Sequence, residues 1–277
     1  MNDWETTLKG SVKERWKQYR RAFKRCQREI TEKHVHSSRI ETRRLLSVIK
    51  LLSAVAGSSR VRKIRRLLKR HLKAFDPLHD TQVQRQLLDQ VRQQFPETKR
   101  LRRMLAKRDL RLRKRATRRL RKLAKVLRVF SCPVSFLSEG AVDLPLRRTC
   151  LLHAVDEAFA RAVRCQQEMD AKAVETIHRT RVAFKKFRYM VEALQPLLAG
   201  ITAERLAAMR DYQAMMGEVR DTEVFLTRLD RFARRDESVA TGPGRFRDWL
   251  VQRHILQVAH CLKHASRLQE FWPCSPG

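Results

Sequence analysis

The sequence predicts an all-α protein: two antiparallel four-helix bundles related by an internal duplication, with a pseudo-two-fold between them. Three observations predict this. Apolar residues recur at three- and four-residue spacing through nearly the whole sequence. Only eight Gly and eight Pro punctuate 277 residues, too few for a loop-rich β protein. Two separate motifs also recur in the same order in both halves, at nearly one offset.

Breakers at Gly57-Ser58-Ser59, Asp76-Pro77, Pro96, Cys132-Pro133, Gly140, Pro145, Pro196, Gly200 and Gly242-Pro243-Gly244 divide the chain into eight helical segments. The first spans about 4–30 and the second about 35–56. In the second, Val35, Leu45, Ile49 and Leu52 form an apolar seam, and His36, Arg39, Arg43 and Lys50 a basic stripe beside it. The third, about 59–93, opens on a stretch from Arg60 to Lys73 with eight Lys+Arg and no acid; Arg62, Arg66 and Lys69 are its candidate anion contacts. The fourth, about 97–130, starts after Pro96. From Lys99 to Arg128 it carries sixteen Lys+Arg and one acid, Asp109, with Arg118, Arg119, Arg121 and Lys122 as candidate contacts. Like charges at i, i+4, such as Arg111/Arg115 and Arg115/Arg119, each cost a helix a few tenths of a kcal/mol. Packing along Leu101, Leu105, Leu112, Leu120, Leu123 and Leu127 must therefore hold it.

Residues 131–145 form the one plausible mid-chain linker, between a first half at 1–130 and a second at 146–277 of a single domain. Segments at about 146–171, 173–198, 202–236 and 244–269 complete the second half. On the helix from Val174 to Leu198, Ile177, Phe184, Phe187, Val191, Leu194 and Leu198 share an arc of about 100° as the seam. His178, Arg181, Lys185 and Arg188 fill an adjoining arc of about 80°. A solubilising face would lie opposite the seam; a stripe that borders it points to basic groups gathered in a groove between helices. The alternative for any one of these cations is a solvated, salt-bridged face. For each His the alternatives are a core or capping imidazole and a neutral donor to an anion.

The duplication is read from two alignments. Val35-His36-Ser37-Ser38-Arg39-Ile40 matches Ile177-His178-Arg179-Thr180-Arg181-Val182, 142 positions later. His79-Asp80-Thr81-Gln82-Val83 matches Arg220-Asp221-Thr222-Glu223-Val224, 141 positions later. The first half departs by having Leu46 where the second has Arg188, so the halves need not bind equally. Asp80 and Asp221 lack a partner carboxylate or nucleophile at suggestive spacing. Each is read as orienting an Arg or capping a turn in preference to acting as a base.

The formal net charge of +33 points to a polyanionic partner. No run of roughly 18 apolar residues occurs, so no transmembrane helix is expected. Met1-Asn2-Asp3-Trp4-Glu5 is acidic and unlike a secretory signal. The six cysteines show no CxxC spacing, which favours reduced thiols in a cytosol-like compartment over a zinc site or disulfide framework. The phosphate-loop, dinucleotide, zincin and nucleophile-elbow motifs are all missing, and no carboxylate cluster could hold the ions of a triphosphatase. A binding protein without catalytic activity or cofactor is expected.

Val35-His36-Ser37-Ser38-Arg39-Ile40-Glu41-Thr42-Arg43-Arg44-Leu45 and Ile177-His178-Arg179-Thr180-Arg181-Val182-Ala183-Phe184-Lys185-Lys186-Phe187-Arg188-Tyr189 resemble the signature of the CHAD family, the conserved histidine α-helical domain. Gly217-Glu218-Val219-Arg220-Asp221-Thr222-Glu223-Val224 resembles a second block of that family; the first-half copy lacks the Gly and has His79 for Arg. The resemblance implies two four-helix bundles around a basic surface or channel that binds inorganic polyphosphate without catalysis, in proteins often associated with polyphosphate granules in the cytoplasm. It places the family histidines on His36 and His178, and the basic positions on Arg39, Arg43, Arg44, Arg181, Lys185, Lys186 and Arg188.

The residues favour the same polymer. Polyphosphate carries about one charge per unit and no bases, so its binder needs dense cations and no stacking platform. Aromatics make up 7% of the chain, whereas single-strand nucleic-acid binders interleave them with basic residues. Weak, nonspecific binding of a nucleic-acid backbone is the alternative, since that attraction follows charge alone.

Overall fold

A computed structural model describes residues 3–55, 59–134, 144–198, 200–234 and 244–272. These residues are helical, without a strand among them. The order is α1 (Asp3–Arg28), α2 (Glu32–Val55), α3 (Ser59–Gln90), α4 (Lys99–Leu127), α5 (Leu144–Gln167), α6 (Glu175–Leu194), α7 (Ala203–Ala233) and α8 (Gly244–Lys263). Short 3-10 turns at Pro96–Thr98, Gln195–Leu197 and Ala265–Phe271 lead into or out of them. The all-α expectation holds. The core of the expected linker, 135–143, lies outside the described residues, as does Cys274.

Local chemistry sets several boundaries. Thr31 caps α2, its Oγ1 accepting from the His34 N–H at 3.1 Å, so α2 starts at Glu32 and not near 35. Thr202 caps α7 by accepting from Arg205 N–H at 3.2 Å. Pro77 does not break α3, which runs through it. A helix-interior proline forfeits one backbone hydrogen bond, and buried Phe75 and Leu78 on either side hold the helix across it.

Within each half helices adjacent in sequence pack on one another, α1 to α4 and α5 to α8. The halves meet where α2 packs against α5 and α6, and where α3 touches α7. Most of the expected seams are buried: Val35, Leu45, Ile49 and Leu52 on α2, and Ile177, Phe184, Phe187, Val191 and Leu194 on α6. On α4, Leu101, Leu105, Leu120 and Leu127 are buried, with Leu112 and Leu123 half-buried.

The hydrophobic core is not divided bundle by bundle. One large cluster runs through both halves, and a smaller one draws Leu88, Leu101, Phe225 and Phe246 from α3, α4, α7 and α8. The reason lies in α2 and α6. Toward their C-terminal ends both are apolar on most faces: Leu45, Val48, Ile49, Leu51 and Leu52 are fully buried on α2, and Phe187, Tyr189, Met190, Val191 and Leu194 are buried on α6. Helices of that kind belong at the centre. A polar knot pins the first half beside them. His71 of α3 is buried against Tyr19 Oη (3.2 Å), Ser38 Oγ (3.3 Å) and Thr42 Oγ1 (3.3 Å), and burial pushes its pKa down to about 3.

Candidate anion-binding groove

Beside the α2–α6 junction the structure opens a groove of about 870 Å³. Its basic wall comes from Arg43 on α2 and from Arg181 and Lys185, one turn apart on α6. His36 of α2 and His79 of α3 also line it, their rings 5.9 Å apart. Asp221 and Arg210 of α7 close the far side.

The three wall cations are half-buried, and none has a carboxylate within ion-pairing distance among the described residues. Burial, then Arg39, pulls the Arg43 pKa down to about 10. Lys185 is driven well below the ordinary lysine range by burial first and then by Arg43, Arg181, Arg39 and Arg188. Arg181 is lowered by burial, with Asp221 the main opposing charge, and its Nε is buried without a hydrogen-bond partner. Burial followed by Arg39, Arg43, His36 and Arg181 depresses His79 to about 3; His36 is lowered by burial, Arg39 and Arg43. Both imidazoles are therefore neutral at pH 7. Cations crowded together with no ion-paired carboxylate among the described residues, and with neutral donors beside them, form a ready anion site.

Other expected contacts are already engaged. Arg39 is buried, donating to Asp76 Oδ1 and the Leu72 carbonyl. Arg188 is buried over the Tyr189 ring, 4.3 Å from its centroid, and donates to Glu192 and to Gln213 Oε1 at 3.1 Å. Arg44 lines the groove but pairs with Glu41 at 2.7 Å and Glu192 at 3.5 Å. Asp80 lies in the field of Arg39, Arg228 and Arg220, and burial raises its pKa against their pull.

The remaining candidates lie outside the groove. His178 and Lys186 line a separate pocket of about 530 Å³ between α5 and α6. Lys50 is half-buried and, with exposed Lys69, close enough to Lys186 to shift it. Arg62 and Arg66 are exposed on α3; Arg118, Arg119, Arg121 and Lys122 are exposed on α4. None of these six lines the groove.

Sequence reasoning missed His79, Arg210 and Gly217. His79 and Gly217 stand where the two sequence segments aligned 141 positions apart differ, and that difference is the signal. In the first half Asp76 neutralises Arg39. The position 141 residues later is Gly217, and a Cβ built there would lie 3.3 Å from Arg181 Nη2. The missing side chain leaves that guanidinium room and, among the described residues, no ion-paired carboxylate.

A family model described as the CHAD domain matches residues 11–230. The crystal structure of the CHAD domain from the plant Ricinus communis is similar, with a TM-score of 0.72 and 16% identity over 97% of this chain and 91% of that one. At that identity the likeness concerns the fold. No curated protein matches the chain in sequence. Among the described residues no helix is long and apolar enough to cross a membrane.

Proposed function

This chain belongs to the CHAD domain family, and we propose that it is a non-catalytic module that binds inorganic polyphosphate in the α2–α6 groove and carries the protein to polyphosphate granules in the cytoplasm. The observation that carries this reading is the trio Arg43, Arg181 and Lys185, crowded and half-buried with no carboxylate within ion-pairing distance among the described residues. A row of phosphates supplies the missing counter-charge. Each charge-assisted hydrogen bond to it contributes about 1.5–3 kcal/mol, and the Arg forks grip two oxygens at once. His36 and His79, uncharged, can donate an N–H without adding to the repulsion. The groove's lining offers one aromatic ring besides the imidazoles, Tyr189, which Arg188 covers. That suits a polymer without bases.

The test is competition between long-chain polyphosphate and duplex DNA or RNA for the purified protein at about 0.15 M salt. Polyphosphate should win by at least about tenfold. Preference for nucleic acid would overturn the reading. Release of orthophosphate or shortened chains with Mg²⁺ or Mn²⁺ present would overturn its non-catalytic part.

A further inference from the structure

Positions 142 residues apart face different neighbours in the two halves. Arg44 and Lys186 are one such pair, Lys50 and Glu192 another. On the groove side Arg44 meets Glu192, which Arg188 also holds. On the other side Lys50 stands in the place of that acid, so Lys186 faces a second ammonium. Arg161 of α5, which lines the α5–α6 pocket together with Lys186, and Arg65 and Lys69 of α3 also act on Lys186 electrostatically.

The acids here are few. Glu157 acts on Lys50, and Glu168 is spent on Arg179 at 3.4 Å. Arg161, Arg164, His178 and Lys186 line the pocket of about 530 Å³ described above, and the Nδ1 of His178 is buried without a hydrogen-bond partner. The groove cations Arg43, Arg181 and Lys185 do not line this pocket, and Arg161 and Lys186 do not line the groove.

We propose that Lys50, Lys69, Arg161 and Lys186, with the adjoining α5–α6 pocket, form a second phosphate-polymer site, so that one protein molecule holds two stretches of polymer at once. The inference rests on polyphosphate being the ligand of the groove. Lys186 is exposed at the mouth of this pocket; desolvation first, and Arg161, Lys50 and Lys69 next, lower its pKa, and a bound anion would offset those charges. Two sites on one folded chain turn a binder into a cross-linker: each molecule tethers separate strands, and a long chain gains avidity from the second contact.

Titration calorimetry with tripolyphosphate on the full chain should count two ligands per protein. Lys50→Glu restores at the second site the acid that Glu192 supplies at the first. It should weaken the second ligand by at least about tenfold, leave the first in place and preserve the melting temperature. Lys186→Ala serves as an independent variant with the same expected count of one. With long-chain polyphosphate, light scattering should report large assemblies for the native protein and none for Lys50→Glu. Lys24→Glu on α1 makes the same charge change away from both sites; if it acts like Lys50→Glu, bulk charge explains the effect and the second site falls. A native count of one, abolished by Arg43→Ala/Arg181→Ala/Lys185→Ala, would overturn the second site and leave the groove reading standing. A native count of zero would overturn both.

Discussion

Replacing Gly217 with Asp would put a carboxylate in the second half where Asp76 stands in the first. The added Cβ meets only the flexible end of Arg181, 3.3 Å away, so the guanidinium must shift by a few tenths of an ångström while the helix stays as it is. A glycine inside a helix costs roughly 0.5–1 kcal/mol relative to Ala, so the variant should not melt earlier. It should bind polyphosphate at least about tenfold more weakly, because Arg181 would then be neutralised as Arg39 is. Calorimetric affinity beside a thermal melt checks this; unchanged affinity would show that Arg181 does not meet the ligand. His79 supports a second expectation. Burial and four nearby cationic or imidazole groups hold its pKa near 3 in the free protein. An anion in the groove offsets those charges and raises that pKa, so the complex binds more protons than the free protein. Affinity must then increase as pH falls from the ordinary histidine range toward 3. Proton uptake, measured in buffers of different ionisation enthalpy with long chains that carry few titrating ends, should be positive and should shrink in His79→Asn.

Among the helices, α4 depends most on a single side chain. Asp109, buried, is its one acid among sixteen Lys+Arg between Lys99 and Arg128. It pairs with Arg85 of α3 at 3.1 Å and with Arg113 one turn on at 2.6 Å; Arg113 in turn donates to the Ile30 carbonyl at 3.0 Å. Asp109→Ala removes the carboxylate that two guanidiniums share beside a helix already under self-repulsion; both are about a third exposed, so water takes up part of the loss, and stability should fall by about 1–2 kcal/mol in denaturant unfolding. Asp109→Asn, which keeps an acceptor, should cost less. This scale was the most legible in the sequence. Helical periodicity and the breakers between segments locate the eight helices among the described residues, and seams of Leu, Phe and Ile mark the buried face of α2, α4 and α6, because burial of one face writes itself into a single segment. The misses came from information that is not periodic: a capping Thr31 that starts α2 early, and Pro77, whose lost hydrogen bond is offset by packing on either side. The shared core was not read from the sequence, because which helix covers each face is decided by partners far along the chain.

For the whole molecule, the question is whether +33 acts as a diffuse cloud or through a site. The stripes on α2 and α6 were legible one helix at a time. A groove between helices was expected from them, but which residues line it was not legible, because one residue of helix rotation sends Lys185 to the groove and Lys186 to another pocket. Nor was the consumption of Arg39 by Asp76, 37 residues away. The Arg188–Glu192 pair, at i, i+4, could have been read from spacing alone. Arg188 is thus the wrong residue for a binding test, since its loss would leave Glu192 buried beside fewer cations. The informative variant is Arg43→Ala/Arg181→Ala/Lys185→Ala, set against Arg118→Ala/Arg119→Ala/Arg121→Ala on the exposed face of α4. Both remove three charges from the same total. If binding follows the cloud, both should weaken polyphosphate equally and flatten the salt dependence of affinity alike. If it follows the groove, the first should cost a hundredfold or more, at roughly tenfold per 1.4 kcal/mol, and should flatten the slope of log affinity against log salt by about two units, near 0.7 per lost contact. The α4 variant should then shift affinity only a few-fold. Removing the groove trio should also raise stability at low salt, because the repulsion they store in the free protein goes with them; equal melting temperatures for native and variant would argue that the crowding carries no cost and leave no reason for an anion to fill it.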